Sequence, residues 1–245
     1  MNNEATLEKM KMLKLGGMMH SFQNMLSTGN IHDLKNEELI AHLIEAEYDE
    51  RYNKRIKALI KKADFRMIAH IEEIKYDNTR NISKSQILKL SELNWLNKGE
   101  NIIIIGATGV GKSFLSCAFG LKACMTGYKV NYFNSNKFFG QLKYEKSCGN
   151  YYKAMIRLSK KDLIILDDFG MEIMDKDSRL SLFELLEDRY ERKSIIITSQ
   201  LPIENWFEII GDKTIADAVC DRIIASSQQI ELGGDSMRKI KIKKS

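Results

Sequence analysis

The stretch "GATGVGKSF" sets Gly106, Gly109 and Gly111 ahead of Lys112 and Ser113 at the spacing G-x-x-x-x-G-K-S. That pattern suits phosphate. Glycines let a loop turn tightly and aim successive N–H groups inward, and a helix starting at the end of the loop adds partial positive charge. Gly106, Ala107, Thr108, Gly109, Val110, Gly111, Lys112, Ser113 and Phe114 are therefore expected to cradle a nucleotide. Lys112 would reach the β- and γ-phosphates and the Ser113 hydroxyl would ligate Mg2+. The alternative is an ordinary glycine-rich strand-to-helix turn. An apolar strand before it, a helical pattern after it and Lys-Ser in register weigh against that reading.

A second cluster is "LIILDD", an apolar run ending in two carboxylates. A buried strand ending in acids delivers them to the carboxyl edge of a sheet, where ligands collect. Asp167 is expected to hold the metal with Ser113, and Asp168 to orient and deprotonate the attacking water. In "SIIITSQ", Thr198, Ser199 and Gln200 put short polar groups where a γ-phosphate or that water would sit, although an ordinary strand-to-turn transition reads the same. Arg222, next to Asp221 on a predicted helix, is either a surface ion pair or an arginine reaching a neighbouring subunit's nucleotide. His20, His32, His42 and His70 all precede the glycine loop and show no zinc spacing. Cys117, Cys124, Cys148 and Cys220 show none either, so a reduced, cytoplasmic setting is expected.

Elements that would position these residues follow from the hydrophobic pattern. Ile102–Ile105, "KVNYFN" (129–134), "DLIILDD" (162–168) and "SIIITSQ" (194–200) read as buried strands alternating with helices. That alternation predicts a mostly parallel sheet with helices on both faces. "QIEL" and "IKIK" are candidates for closing edge strands. Thr214 is the expected cap of the helix that carries Arg222. Upstream, residues 1–75 read as a helical module. Gly16-Gly17 ends a first helix, and a long amphipathic helix capped by Asn36 carries Ile40, Ile44, Tyr48, Tyr52 and Ile56 at helical spacing. Residues 76–98 read as a polar connector into the second domain, 76–245.

At 44% hydrophobic and 29% charged residues, the 245-residue chain is globular, not disordered. It has no apolar run near the ~20 residues of a membrane span. Residues 1–80 carry 13 Lys/Arg against 13 Asp/Glu, so the net charge of +5 arises beyond them. Within that neutral part, "RYNKRIKALIKKADFR" is locally basic, with Lys54, Lys57 and Lys61 on one face; so is "MRKIKIKKS". Both are candidates for contact with a phosphate backbone, although such runs are commonly just solvated faces.

"GENIIIIGATGVGKSFLSCAFG", "DLIILDDFG", "IIITSQLPIENWFEIIGDKTIADAVCDRI" and "IELGGDSMRK" together resemble the IstB family. These are ATP-binding helpers of insertion-sequence transposition, related to the DnaC helicase loader among the AAA+ ATPases. "MLKLGGMMHSFQNML" and "LIEAEYDERYNKRIKALIKKADF" extend the likeness over nearly the whole chain. The resemblance implies a P-loop NTPase domain of AAA+ type behind a small helical domain, binding ATP or ADP with Mg2+. It implies Thr198 and Ser199 at the sensor-1 strand end, Arg222 as an arginine finger and Arg238 as a sensor-2-like arginine. Asp168 stands where many family members have Glu. As partners it implies duplex DNA with little sequence preference, a cognate transposase and further copies of the chain. A replicative helicase loader of DnaC type is the alternative on the same fold. A small-molecule kinase is less well supported, since no lid-like insertion follows Lys112. Tyr76 is the candidate for stacking on adenine.

Overall fold

A computed structural model describes residues 3–32, 34–76 and 78–237. The chain divides into two compact units, Met1–Ala58 and Leu59–Ser245.

The first unit holds α1 (Asn3–Met12), α2 (Gly16–Thr28) and most of α3 (Asn36–Ala63). The break after α1 lies at Lys14, in left-handed backbone, and Gly16-Gly17 opens α2 instead of ending α1. A Cβ on Gly17 would meet the Ala46 carbonyl oxygen at 2.2 Å, so glycine permits the close approach of α2 to α3. The Glu47 carboxylate of α3 accepts the amides of Gly17 (2.8 Å) and Met18 (3.2 Å), satisfying two donors at the start of α2. Burial alone would push this carboxyl up, but Arg51 and the two amides hold it below the ordinary range. Asn36 is already helical, and the amide of Lys35 is met by the Glu38 side chain.

The second unit is built on a parallel five-stranded sheet of order β2-β3-β4-β1-β5. Its strands are β1 (Asn101–Gly106), β2 (Val130–Asn134), β3 (Leu163–Phe169), β4 (Ser194–Ser199) and β5 (Ser227–Leu232). Apolar residues fill both faces of the central strands, as burial on both sides requires. Ile102, Ile104, Ile165, Ile196 and Ile230 pack on one face with α6 (Lys112–Met125). Ile103, Ile164, Leu166, Ile195 and Ile197 pack on the other. That second face is covered by α7 (Ser135–Ser147), α8 (Tyr151–Ser159), α9 (Lys176–Arg189), α10 (Trp206–Ile210) and α11 (Lys213–Ile224).

The segment expected as a polar connector is part of this core. It forms α4 (Lys84–Ser91) and α5 (Asn94–Asn97), and Ile87, Leu90, Leu93, Trp95 and Leu96 are buried on the α6 side. Residues from Ala63 to Ile74 join the same cluster, so residues 59–75 belong with the sheet. Asp212, not Thr214, caps α11, its carboxylate accepting the Ile215 amide at 3.0 Å. "QIEL" lies in the edge strand β5, whereas "IKIK" falls outside the described residues. No helix among the described residues is long and apolar enough to cross a membrane.

Candidate nucleotide-binding site

The strand order sets β1 beside β4, with β3 on the other side of β4, so their carboxyl ends converge. From β1 the chain turns through Gly106, Gly109 and Gly111, all at positive φ (154°, 88° and 109°), into α6. Neighbouring segments hold this loop tightly. Arg80 is buried and donates to the Val110 carbonyl (2.8 Å) and the Lys75 carbonyl (2.6 Å). On the far side the Met237 amide donates to the Gly109 carbonyl at 3.0 Å, and a Cβ on Gly109 would meet Ser236 Oγ at 2.2 Å. Lys112 Nζ donates to the carbonyls of Gly106 (2.8 Å) and Ala107 (3.0 Å). Val110 is buried, Phe114 is half-buried in the core, and Thr108 Oγ1 donates to Gln200 Oε1 at 2.6 Å.

Asp167 is fully buried and is the hub of the site. Its Oδ1 accepts from Ser113 Oγ (2.9 Å) and Thr198 Oγ1 (2.5 Å). Its Oδ2 accepts from the Tyr132 hydroxyl (2.5 Å) and faces Arg66 Nη1 at 3.4 Å. Burial and this carboxylate push the Tyr132 hydroxyl far above its ordinary range, so it stays a donor. Serine hydroxyl and carboxylate oxygens side by side suit Mg2+, which takes hard oxygen ligands and keeps waters and phosphate oxygens for the rest. No cluster of three or more His, Cys, Asp or Glu metal ligands exists among the described residues.

Asp168 sits differently. The β3–β4 register runs Leu166↔Ile197 and then Phe169↔Ser199, so β3 carries one extra residue, a bulge at the two aspartates. Asp168 takes up that residue in left-handed backbone (φ 58°), a region that Asp tolerates better than most side chains. Its amide donates to Thr198 Oγ1 at 3.0 Å, and its carboxylate lies 3.3 Å from Arg66 Nη1.

A family model described as IstB-like ATP binding protein matches residues 8–245. The chain belongs to this family. It is 38% identical over 98% of both chains to a putative insertion sequence ATP-binding protein of Sinorhizobium fredii. It is 31% identical to the IS1162 putative ATP-binding protein of Pseudomonas fluorescens, over 82% of this chain and 88% of that one. Among solved structures, the DnaC helicase loader aligns with TM-score 0.54 at 19% identity, covering 67% of this chain and 96% of the loader. AMPPCP-bound DnaA from Aquifex aeolicus aligns with TM-score 0.59 at 20% identity, over 74% and 56%. The fold is thus the AAA+ P-loop fold.

The remaining residues expected to serve the nucleotide are placed as follows. Alternation along β4 puts Thr198 on the α6 face with Ile196, and Ser199 on the opposite face with Ile197. Ser199 is fully buried, donates to the Phe169 carbonyl (3.0 Å) and accepts the Leu201 amide (3.0 Å). It ties two strand exits together, while Thr198 meets both aspartates. Arg222 pairs with Glu187, not with its neighbour Asp221, and its guanidinium lies 5.0 Å from the Phe183 ring centroid. Arg238 falls outside the described residues. Tyr76 carries Lys84 Nζ 6.0 Å from its ring centroid.

Arg66, Tyr132 and Arg80 are the site residues that the sequence reading missed. In the sequence, Arg66 is one charge among seven in the basic run 51–66. Tyr132, a polar-tipped aromatic in the middle of β2, pairs in register with Ile165, two residues before Asp167. That spacing was the available signal.

Proposed function

We propose that the protein is an ATP-hydrolysing, Mg2+-dependent oligomer that assists a transposase on duplex DNA in the cytoplasm. The four-donor setting of Asp167 beside the phosphate loop carries the hydrolytic part of this reading. Lys112 exchanges its two loop carbonyls for phosphate oxygens. Ser113 and Asp167 would hold Mg2+, which would neutralise phosphate charge when bound. Asp168, one residue on, takes the proton of the attacking water. Thr198, hydrogen-bonded to the Asp168 amide, fixes where that carboxylate starts. Arg222, braced by Glu187 and Phe183, supplies charge to the nucleotide of a neighbouring copy.

Support for the DNA and transposase part comes from the relatives, whose names tie them to insertion sequences, and from the basic run at 51–66. The N-terminal helices are the proposed contact with those partners. A helicase-loader role has only fold likeness behind it. The test is to size the protein with ATP, with ADP and with duplex DNA, and to measure turnover in each. ATP should give the largest assembly and duplex should raise turnover. A monomer throughout, with no response to duplex, overturns the proposal. Mixing Arg222→Ala with Lys112→Ala subunits should restore part of the turnover that each lacks alone. No recovery in co-assembled mixtures removes the action between subunits.

A further inference from the structure

Arg66 lies against both carboxylates of the site, at 3.4 Å from Asp167 Oδ2 and 3.3 Å from Asp168 Oδ2. We infer that Arg66 is a positioning residue for hydrolysis, holding Asp168 in place beside Asp167 and placing positive charge against the carboxylate that would hold the metal. The inference rests on the hydrolytic reading above.

Three features bear on it. First, Arg66 is presented by a closely packed segment. Asp64 ends α3 in left-handed backbone (φ 56°), and Phe65 fits over Gly120 of α6, where a Cβ would come within 2.5 Å of the ring. The backbone that carries Arg66 is therefore packed on the same helix that starts with Lys112 and Ser113. Second, adjacent like charges repel, and one guanidinium nitrogen bridging both oxygens offsets that repulsion. Burial works against the charge on Arg66, whereas the two neighbouring aspartates favour it. Third, Asp168 has somewhere else to go. Its side chain is 27% exposed and borders an open cleft of about 600 Å³, also lined by Arg66, Tyr132, Asn134, Lys137 and Gln141. Without Arg66, the carboxylate would turn into that open cleft and leave the position from which it meets the attacking water.

Two opposite effects follow from one substitution. Arg66→Gln should lower kcat about ten- to hundredfold, the scale of a catalytic group misplaced by an ångström, with KM for ATP little changed. The same variant should bind Mn2+ several-fold more tightly in the presence of a non-hydrolysable ATP analogue, measured by the loss of free-Mn2+ signal in electron paramagnetic resonance. A cation next to the metal's carboxylate has then been removed. Arg66→Lys keeps the charge, so its Mn2+ affinity should match wild type. Its single ammonium cannot span both carboxylates as the planar guanidinium does, so kcat should recover only in part.

Unchanged kcat in Arg66→Gln would overturn the inference. So would weaker Mn2+ binding together with lower kcat, the pattern of a merely damaged fold. Failure of the underlying reading looks different: wild type and Lys112→Ala would then turn over ATP equally slowly, whereas the Mn2+ comparison would still report on Arg66.

Discussion

Thr198 donates to Asp167 Oδ1 at 2.5 Å and accepts the Asp168 amide at 3.0 Å, so one hydroxyl links both aspartates. Thr198→Val keeps the shape and deletes both bonds. A hydrogen bond to a charged acceptor contributes about 1.5–3 kcal/mol, and an amide left without its acceptor costs about 1–3 kcal/mol. The two losses share one atom, so a combined destabilisation of about 3 kcal/mol is expected. With a urea m-value of about 2 kcal/mol per molar, the unfolding midpoint should fall by about 1.5 M. Turnover, measured by phosphate release at a temperature where the variant stays folded, should also drop, because the Asp168 backbone is no longer tethered. Thr198→Ser should keep both properties near wild type. Ser199→Ala gives the contrast: it loses two structural bonds, so its midpoint falls while kcat holds. A Thr198→Val protein with an unchanged midpoint and full turnover would refute the bridging role. A Ser199→Ala protein that is stable but inactive would restore Ser199 to the site.

Lys112→Ala should abolish binding of a fluorescent ATP analogue while leaving the circular dichroism spectrum unchanged; retained affinity would mean that the loop is not the phosphate site. Gly109→Ala places a Cβ 2.2 Å from Ser236 Oγ at φ 88° and should weaken nucleotide binding about tenfold or more. Gly149→Ala, at φ 71° but facing open space, should leave binding intact, and equal losses in both would assign the effect to backbone strain alone. Burial pushes the Cys117, Cys124 and Cys220 thiols up to about 11 from 9.0, whereas Cys148 is exposed. Ellman's reagent at pH 8 should therefore modify one thiol quickly and three only on unfolding, and four equal rates would contradict the packing. Because these pKa values are raised in the folded state, their contribution to stability is intact below pH 9 and is lost as pH rises toward 11. The urea midpoint should fall across that interval.

The glycine loop, the "LIILDD" strand and the parallel sheet were legible because each is local: a run of β-branched residues, a fixed spacing, acids at a strand end. What escaped was decided by contacts between distant segments. Thr198 and Ser199 are equivalent in composition, and only the pleat of β4 and its pairing with β3 choose between them. The bulge that sets Asp168 in left-handed backbone has no glycine to mark it. Residues 76–98 looked polar because their stripe (Ile87, Leu90, Leu93, Leu96) is short and interrupted by Lys, Ser and Glu. Arg66 and Arg80 could not be told from surface charges until the sheet brought Asp167 and the phosphate loop to them.

The strand order also bears on how the protein is made. β1, with its four consecutive isoleucines, lies between β4 and β5, both of which follow it in the chain. On the ribosome, Ile102 emerges long before its partners Ile196 and Gln228 exist. At about 5–20 residues per second, that strand has both edges open for on the order of ten seconds. An apolar, uncharged strand with unpaired edges is a template for pairing with other chains. Overproduction at high temperature should therefore yield inclusion bodies, and slower synthesis or a co-expressed holdase should recover more protein than any change to the mature surface.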